Sequence, residues 1–157
     1  MGVNFGALER AFGQMESAFE HPGELMREPV TEWVADVERE QFDSEGAAGA
    51  SGLWQPDKPQ TIRLKISEGY STRTLERTGA TRARLTSVDS LRELIEVSGD
   101  RITFRLPAPA SYHQRGTATI PAREVYSPSE WQKRDLKARV KKAATEEMRR
   151  RGLPVKG

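Results

Sequence analysis

The apolar residues of this chain change their repeat twice along its length, and that change limits what the chain can fold into. Near both ends they recur every three or four positions, the period of one helix face. Between Leu91 and Leu106 they recur every second position, the period of a strand. Such patterning predicts an α+β fold, with helices at the ends and a small antiparallel sheet between them.

The first helical stripe is Phe5, Leu8, Phe12, Met15 and Phe19. His21-Pro22-Gly23 interrupts it, because proline lacks an amide donor and disfavours helix in the residue before it. A second helix is expected from about Glu24 to Phe42, striped by Leu25, Met26, Val30, Trp33, Val34, Val37 and Gln41/Phe42. Pro29 marks an alternative start for it. The small residues of 43–52 read as a flexible loop, and no phosphate-binding spacing occurs there or elsewhere. Residues 61–70 suit helix or strand, and 72–87 reads as a helix broken or capped at Gly79.

The hairpin has Leu91, Glu93, Ile95 and Val97 on one alternation and Ile102, Phe104 and Leu106 on the other, joined by Ser98-Gly99-Asp100. Pro107 and Pro109 stop its second strand, and 118–125 is expected to be a further strand or an extended arm. The last helix starts at Ser127-Pro128-Ser129-Glu130, repeats Leu136, Val140, Ala144 and Met148, and ends at Gly152 and Pro154. The expected division is a helical arm over 1–43, an α+β core over 44–128 and a basic helix and tail over 129–157.

Charge is unevenly placed. Residues 1–48 hold 11 acids and three Arg, net −8; 49–128 hold 12 bases and 8 acids, net +4; 129–157 hold 10 bases and 4 acids, net +6. This suits either two solvated helices or a subunit whose acidic end meets the basic end of a neighbour.

Composition removes several kinds of chemistry. With no Cys there is no disulfide frame, thiolate nucleophile or Cys-ligated metal, and two His, His21 and His113, are too few for a histidine-rich centre. No apolar run is long enough for a membrane span. The opening residues have no basic start and no apolar core of a secretory signal, so the chain is expected to remain in the cytoplasm or join an assembly built there. His113 is the best candidate for a base, yet no activated nucleophile accompanies it in sequence, and a loop histidine bonded to a carbonyl is the expectation. Glu146 and Glu147 are neighbours on a helix, about 100° apart, so they cannot share a proton. The basic band ending in Arg149-Arg150-Arg151 suits phosphates, but Trp131 is the only aromatic beside it, so base stacking is not expected there.

Several short features occur in a telling order. Trp54-Gln55-Pro56 is followed by Thr78-Gly79, then Tyr112-His113-Gln114-Arg115-Gly116, then Ile120-Pro121-Ala122-Arg123. Taken together they resemble the phage virion morphogenesis family of Mu-like phages, which is similar to the tail completion proteins of other contractile-tailed phages. The resemblance covers about half of the chain. It departs where Tyr112 and His113 are adjacent, without the family's spacer, and where Glu124-Val125-Tyr126 follows Arg123. It implies a non-enzymatic late assembly protein of the virion, assembled in the host cytoplasm, that acts at the tail end or neck and helps join tail to head. Its partners would be other neck or tail proteins and further copies of itself, in a ring, without cofactor or membrane. A DNA-binding accessory at the head–tail junction and a head morphogenesis factor are the alternatives. On the residues alone, Trp54 would plug a junction, Pro56 and Pro121 would stiffen extended segments, and Gly79 and Gly116 would allow unusual backbone. Arg123 would grip a carboxylate or carbonyls with its planar fork.

Overall fold

A computed structural model describes residues 21–153 and Val155. The fold is α+β: α1 (Pro22–Asp43), α2 (Pro59–Ser67), α3 (Ala80–Thr86), α4 (Val88–Leu94), β1 (Ile95–Ser98), β2 (Arg101–Phe104), α5 (Ala108–Arg115) and α6 (Glu130–Arg150). The stripe from Phe5 to Phe19 lies outside the described residues.

α1 is the central element, in contact with α3, α4, α6 and both strands. It starts at Pro22, where a missing amide costs nothing, and carries Pro29 inside it. The helix therefore begins earlier than the Pro29 alternative. One reason is at its first turn, where the Gly23 amide donates to the Gly99 carbonyl at the tip of the hairpin, 3.2 Å away. Met26, Val30, Trp33, Val34, Val37, Gln41 and Phe42 are buried as the stripe requires, but so are Thr31, Ala35 and Glu38 on the adjoining side. A helix buried over that much of its circumference is a core, and residues 22–43 are not an arm. Around it sit Leu85, Leu91, Leu94, Ile95, Ile102, Phe104, Val125, Tyr126, Leu136 and Val140. Each such side chain contributes roughly 1.5–3 kcal/mol when fully buried.

The strands pair antiparallel with Ile95 opposite Phe104 and Ser98 opposite Arg101, around a two-residue Gly99-Asp100 turn. The hairpin is shorter than its alternation suggests. Leu91 and Leu94 belong to α4, where the i, i+3 spacing of Val88, Leu91 and Leu94 prevails, and Ser87 starts that helix by accepting from the Ser90 amide. α3 begins directly after Gly79, so 72–79 is not helical. Pro107 and Pro109 do more than stop β2. They sit at the cap and first turn of α5, so the Ser111–Arg115 stretch is a helix and not a turn. Ser129 begins α6 with a capping box in which Gln132 answers it.

Residues 123–127 form no strand. They lie against α1 as an irregular strap, bent at Val125 and Tyr126, whose backbone is bonded by side chains from elsewhere. Gln41 Nε2 and Trp54 Nε1 both donate to the Glu124 carbonyl, at 3.0 and 2.9 Å. Gln114 brackets Tyr126, donating to its carbonyl at 2.9 Å and accepting from its amide at 2.8 Å. The loop after α1 supplies two more, from the Ala50 amide to the Ser127 carbonyl and from the Ser51 amide to the Ser127 hydroxyl. These bonds satisfy polar groups that a sheet would otherwise have to satisfy.

That loop, expected to be flexible, is a run of turns fastened to the strap and to the end of α1. Its glycines serve close approach. A Cβ on Gly49 would stand 2.4 Å from Gln41 Oε1 and 2.7 Å from the Ser127 carbonyl oxygen. Gly49→Ala is therefore expected to destabilise the protein by about 1–3 kcal/mol, although alanine is the less flexible residue. Urea denaturation of the two chains measures it.

Candidate functional site

The motif residues do not all gather in one place, but the first and last of them meet. Trp54 is buried edge-on against Phe42, with ring centres 5.3 Å apart, and so seats the 54–58 segment on the end of α1. Arg123, at the start of the strap, reaches across to that segment. Its Nε donates to the Gln55 carbonyl at 2.6 Å and its Nη2 to the Pro56 carbonyl at 3.2 Å. The same Nη2 lies 3.1 Å from Asp57 Oδ1. Asp57 Oδ2 is ion-paired at 2.7 Å with Lys65, the one buried residue of α2, whose Nζ also donates to the Arg73 carbonyl. All three charged side chains are more than nine-tenths buried. One carboxylate thus holds two cations, and the fork of Arg123 takes both a carboxylate and carbonyls.

α5 and the turn after it present the strap to this cluster. The His113 carbonyl accepts from the Arg123 amide at 2.7 Å. The His113 ring is half-buried, and its Nδ1 has no hydrogen-bond partner. Burial, and then the neighbouring Arg123 charge, lower its imidazole below the ordinary range, against an opposing pull from Asp57. Gly116 turns the chain back at φ 70°, and a Cβ there would meet the Ala122 amide nitrogen at 2.8 Å. The Thr117 amide then donates to the Ile120 carbonyl, and Pro121 leads into the strap. Thr78 and Gly79 stand apart at the start of α3, and Tyr112 faces solvent on α5. With His113 next to it on a helix, the two rings diverge by about 100°.

Asp57 and Lys65 escaped the sequence reading. Nothing local marks them, since a lysine between Leu64 and Ile66 reads as the wet side of an amphipathic helix. The only cue was an acid and a base in a segment already stiffened by Pro56 and Pro59.

A second polar cluster lies under the strap. Glu38 is fully buried on α1, and neither carboxylate oxygen has a hydrogen-bond partner. The Tyr126 hydroxyl and Gln41 Oε1 are likewise unpartnered. Burial pushes the Glu38 carboxyl well above the ordinary carboxylate range, favouring its protonated form. Burial, and then the charge on Glu38, raise the Tyr126 phenol. The Tyr126 ring stacks edge-on against both Trp33 and Phe104.

The acidic and basic helices pair with each other inside the chain. α1 packs along α6, Asp36 meets Arg139 at 2.8 Å, and Gln132 donates to Glu40 at 2.8 Å. A cleft of about 330 Å³ runs between them, walled by Trp33, Asp36, Trp131 and Asp135 among others. At the far end Arg150 and Arg151 fold back on Glu147, and their hydrogen bonds hold its carboxyl down at about 2. Among the described residues no three His, Asp or Glu side chains are placed to hold a metal ion, and no helix is long and apolar enough to cross a membrane.

Two outcomes follow from these clusters. Asp57→Ala leaves two buried cations facing one another and is expected to cost about 3–5 kcal/mol, read from denaturant midpoints. Glu38 binds its proton more tightly folded than unfolded. Its contribution is therefore full below the ordinary carboxylate range and is lost as pH rises through the raised value. The stability of Glu38→Gln relative to the native chain should consequently grow from about pH 5 to about pH 8, as measured by thermal melts across that range.

Comparison with protein-family models, with curated proteins and with solved structures returns no match for this chain.

Proposed function

We propose that this protein is a non-enzymatic structural component of a phage particle, a tail completion or neck protein that helps join a finished tail to the filled head. The observation that supports this most is the grip of Arg123 on the Gln55 and Pro56 carbonyls and on Asp57. The first and last members of the motif order, nearly 70 residues apart, hold each other, which supports reading those two as parts of one structural unit. The roles of the other members agree with a scaffold. Trp54 and Gln114 bond the strap backbone, and Gly116 shapes the turn that delivers it. Lys65 and Arg123 are occupied by Asp57 and by carbonyls, which suits holding a shape more than transforming a substrate.

The partners in this reading are other neck or tail proteins and further copies of the chain. Disrupting the gene in the phage that encodes it is expected to leave filled heads and complete tails unjoined in the lysate, seen by electron microscopy. Supplying the native chain in trans should restore joined, infectious particles. Lysates of the disrupted phage that still contain joined, infectious particles would overturn the proposal, and defective heads would move the protein to head assembly.

A further inference from the structure

α2 is built inside out. Its single buried side chain is Lys65, while Leu64 and Ile66 remain 51% and 62% exposed. At 100° per residue they stand on either flank of Lys65, with Arg63 pointing outward between them. The helix is held by the Lys65–Asp57 ion pair with Ile62 half-buried beside it, and the apolar and basic surface of Leu64, Ile66 and Arg63 is left uncovered.

The same chain holds a matching surplus. In sequence, Phe5, Leu8, Phe12, Met15 and Phe19 recur at the period of one helix face, and on the same period Glu9, Glu16 and Glu20 fall to one side of that stripe. Residues 1–20 carry three acids and one base, whereas α2 and its cap present Lys58 and Arg63 to solvent, Lys65 being taken up by Asp57. The attachment points matter as well. The N-terminal segment joins the described molecule at His21, beside the contact of Gly23 with Gly99. α2 is tied to the opposite end of α1, because Lys65 donates to the Arg73 carbonyl and Arg73 donates to the carbonyls of Phe42 and Asp43. A 22-residue helix, about 33 Å, separates the two.

We infer that the outward side of α2 is a docking surface for residues 1–20 of a second copy of this chain. The acidic edge of the incoming stripe meets Arg63, and its aromatic residues cover Leu64 and Ile66. A donor at one end of a subunit and an acceptor at the other make a head-to-tail contact, which closes into a ring where its rotation completes a full turn and otherwise runs on as a filament. The inference concerns how copies of the chain meet, and it stands or falls separately from the joining role.

Two full-length variants test it by light scattering after size exclusion. Phe12→Asp with Phe19→Asp removes the donor and leaves α2 intact. Leu64→Asp with Ile66→Asp removes the acceptor at positions that are already half in solvent. The native chain is expected to run as an oligomer and each variant as a monomer with an unchanged circular dichroism spectrum. An equal mixture of the two variants should form one-to-one dimers and nothing larger, since each supplies the half that the other lacks. If the acceptor variant loses its helical signal, Ile66→Asp alone takes its place. A native chain that stays monomeric, a variant that associates like the native chain, or a mixture that remains monomeric would each overturn the inference. The first of these would point to docking within one chain or to a different protein on α2.

Discussion

The arrangement of this protein depends on hydrogen bonds that side chains make to the backbone of one short irregular segment. Residues 123–127 link α5 to α6 across the central helix without a neighbouring strand. Gln41, Trp54 and Gln114 serve in place of one. Each such bond is worth only about 1 kcal/mol net, but losing it strands a buried carbonyl or amide at about 1–3 kcal/mol. The segment also carries Val125 and Tyr126 into the core, so its register sets the stack of Tyr126 on Trp33 and Phe104. The Arg123–Asp57–Lys65 cluster fixes where the segment begins, and Ser129 with Gln132 fixes the helix that follows.

How much of this was legible in the residues depends on whether an interaction is local. The period of Met26 to Val37 and of Leu136 to Ala144 revealed the two long helices, because amphipathic burial repeats along one element. The Gly99-Asp100 turn revealed the hairpin for the same reason. Leu91 and Leu94 were misassigned to a strand because spacings of two and three both fit a four-residue window. α5 was hidden by Pro107 and Pro109, which can end a strand and begin a helix equally well. The fastened segment and the Asp57 cluster could not be read at all. Their partners are separated by 58 residues in the case of Lys65 and Arg123, and no periodicity links a side chain to a distant carbonyl. Among the ordered motif residues, Trp54 and Gln114 bond this segment, and Arg123 within it grips carbonyls and a carboxylate as its planar fork suggested.

Charge tells a related story. The acidic first third and the basic last helix look like surfaces made for a neighbour, yet α1 and α6 lie side by side, and Asp36 with Arg139 joins them within one chain. Part of the polarity visible along the sequence is therefore matched on folding, by this ion pair between the two helices. What is left for other molecules is the outer side of α6 and the unusual surface of α2, where a buried lysine has displaced leucine and isoleucine into water.

The treatment of Glu124 has a consequence for how such a chain can diverge. Its carbonyl takes two hydrogen bonds while its own side chain is exposed, so the fold recognises the position but not the residue. Drift at 124 is cheap, whereas the same drift at Gln41 or Trp54 removes a donor for which the backbone has no substitute. Two descendants of one ancestor could thus differ at 124 and keep the same architecture, while the buried Arg123, Val125 and Tyr126 around it and the distant donors that hold it are constrained.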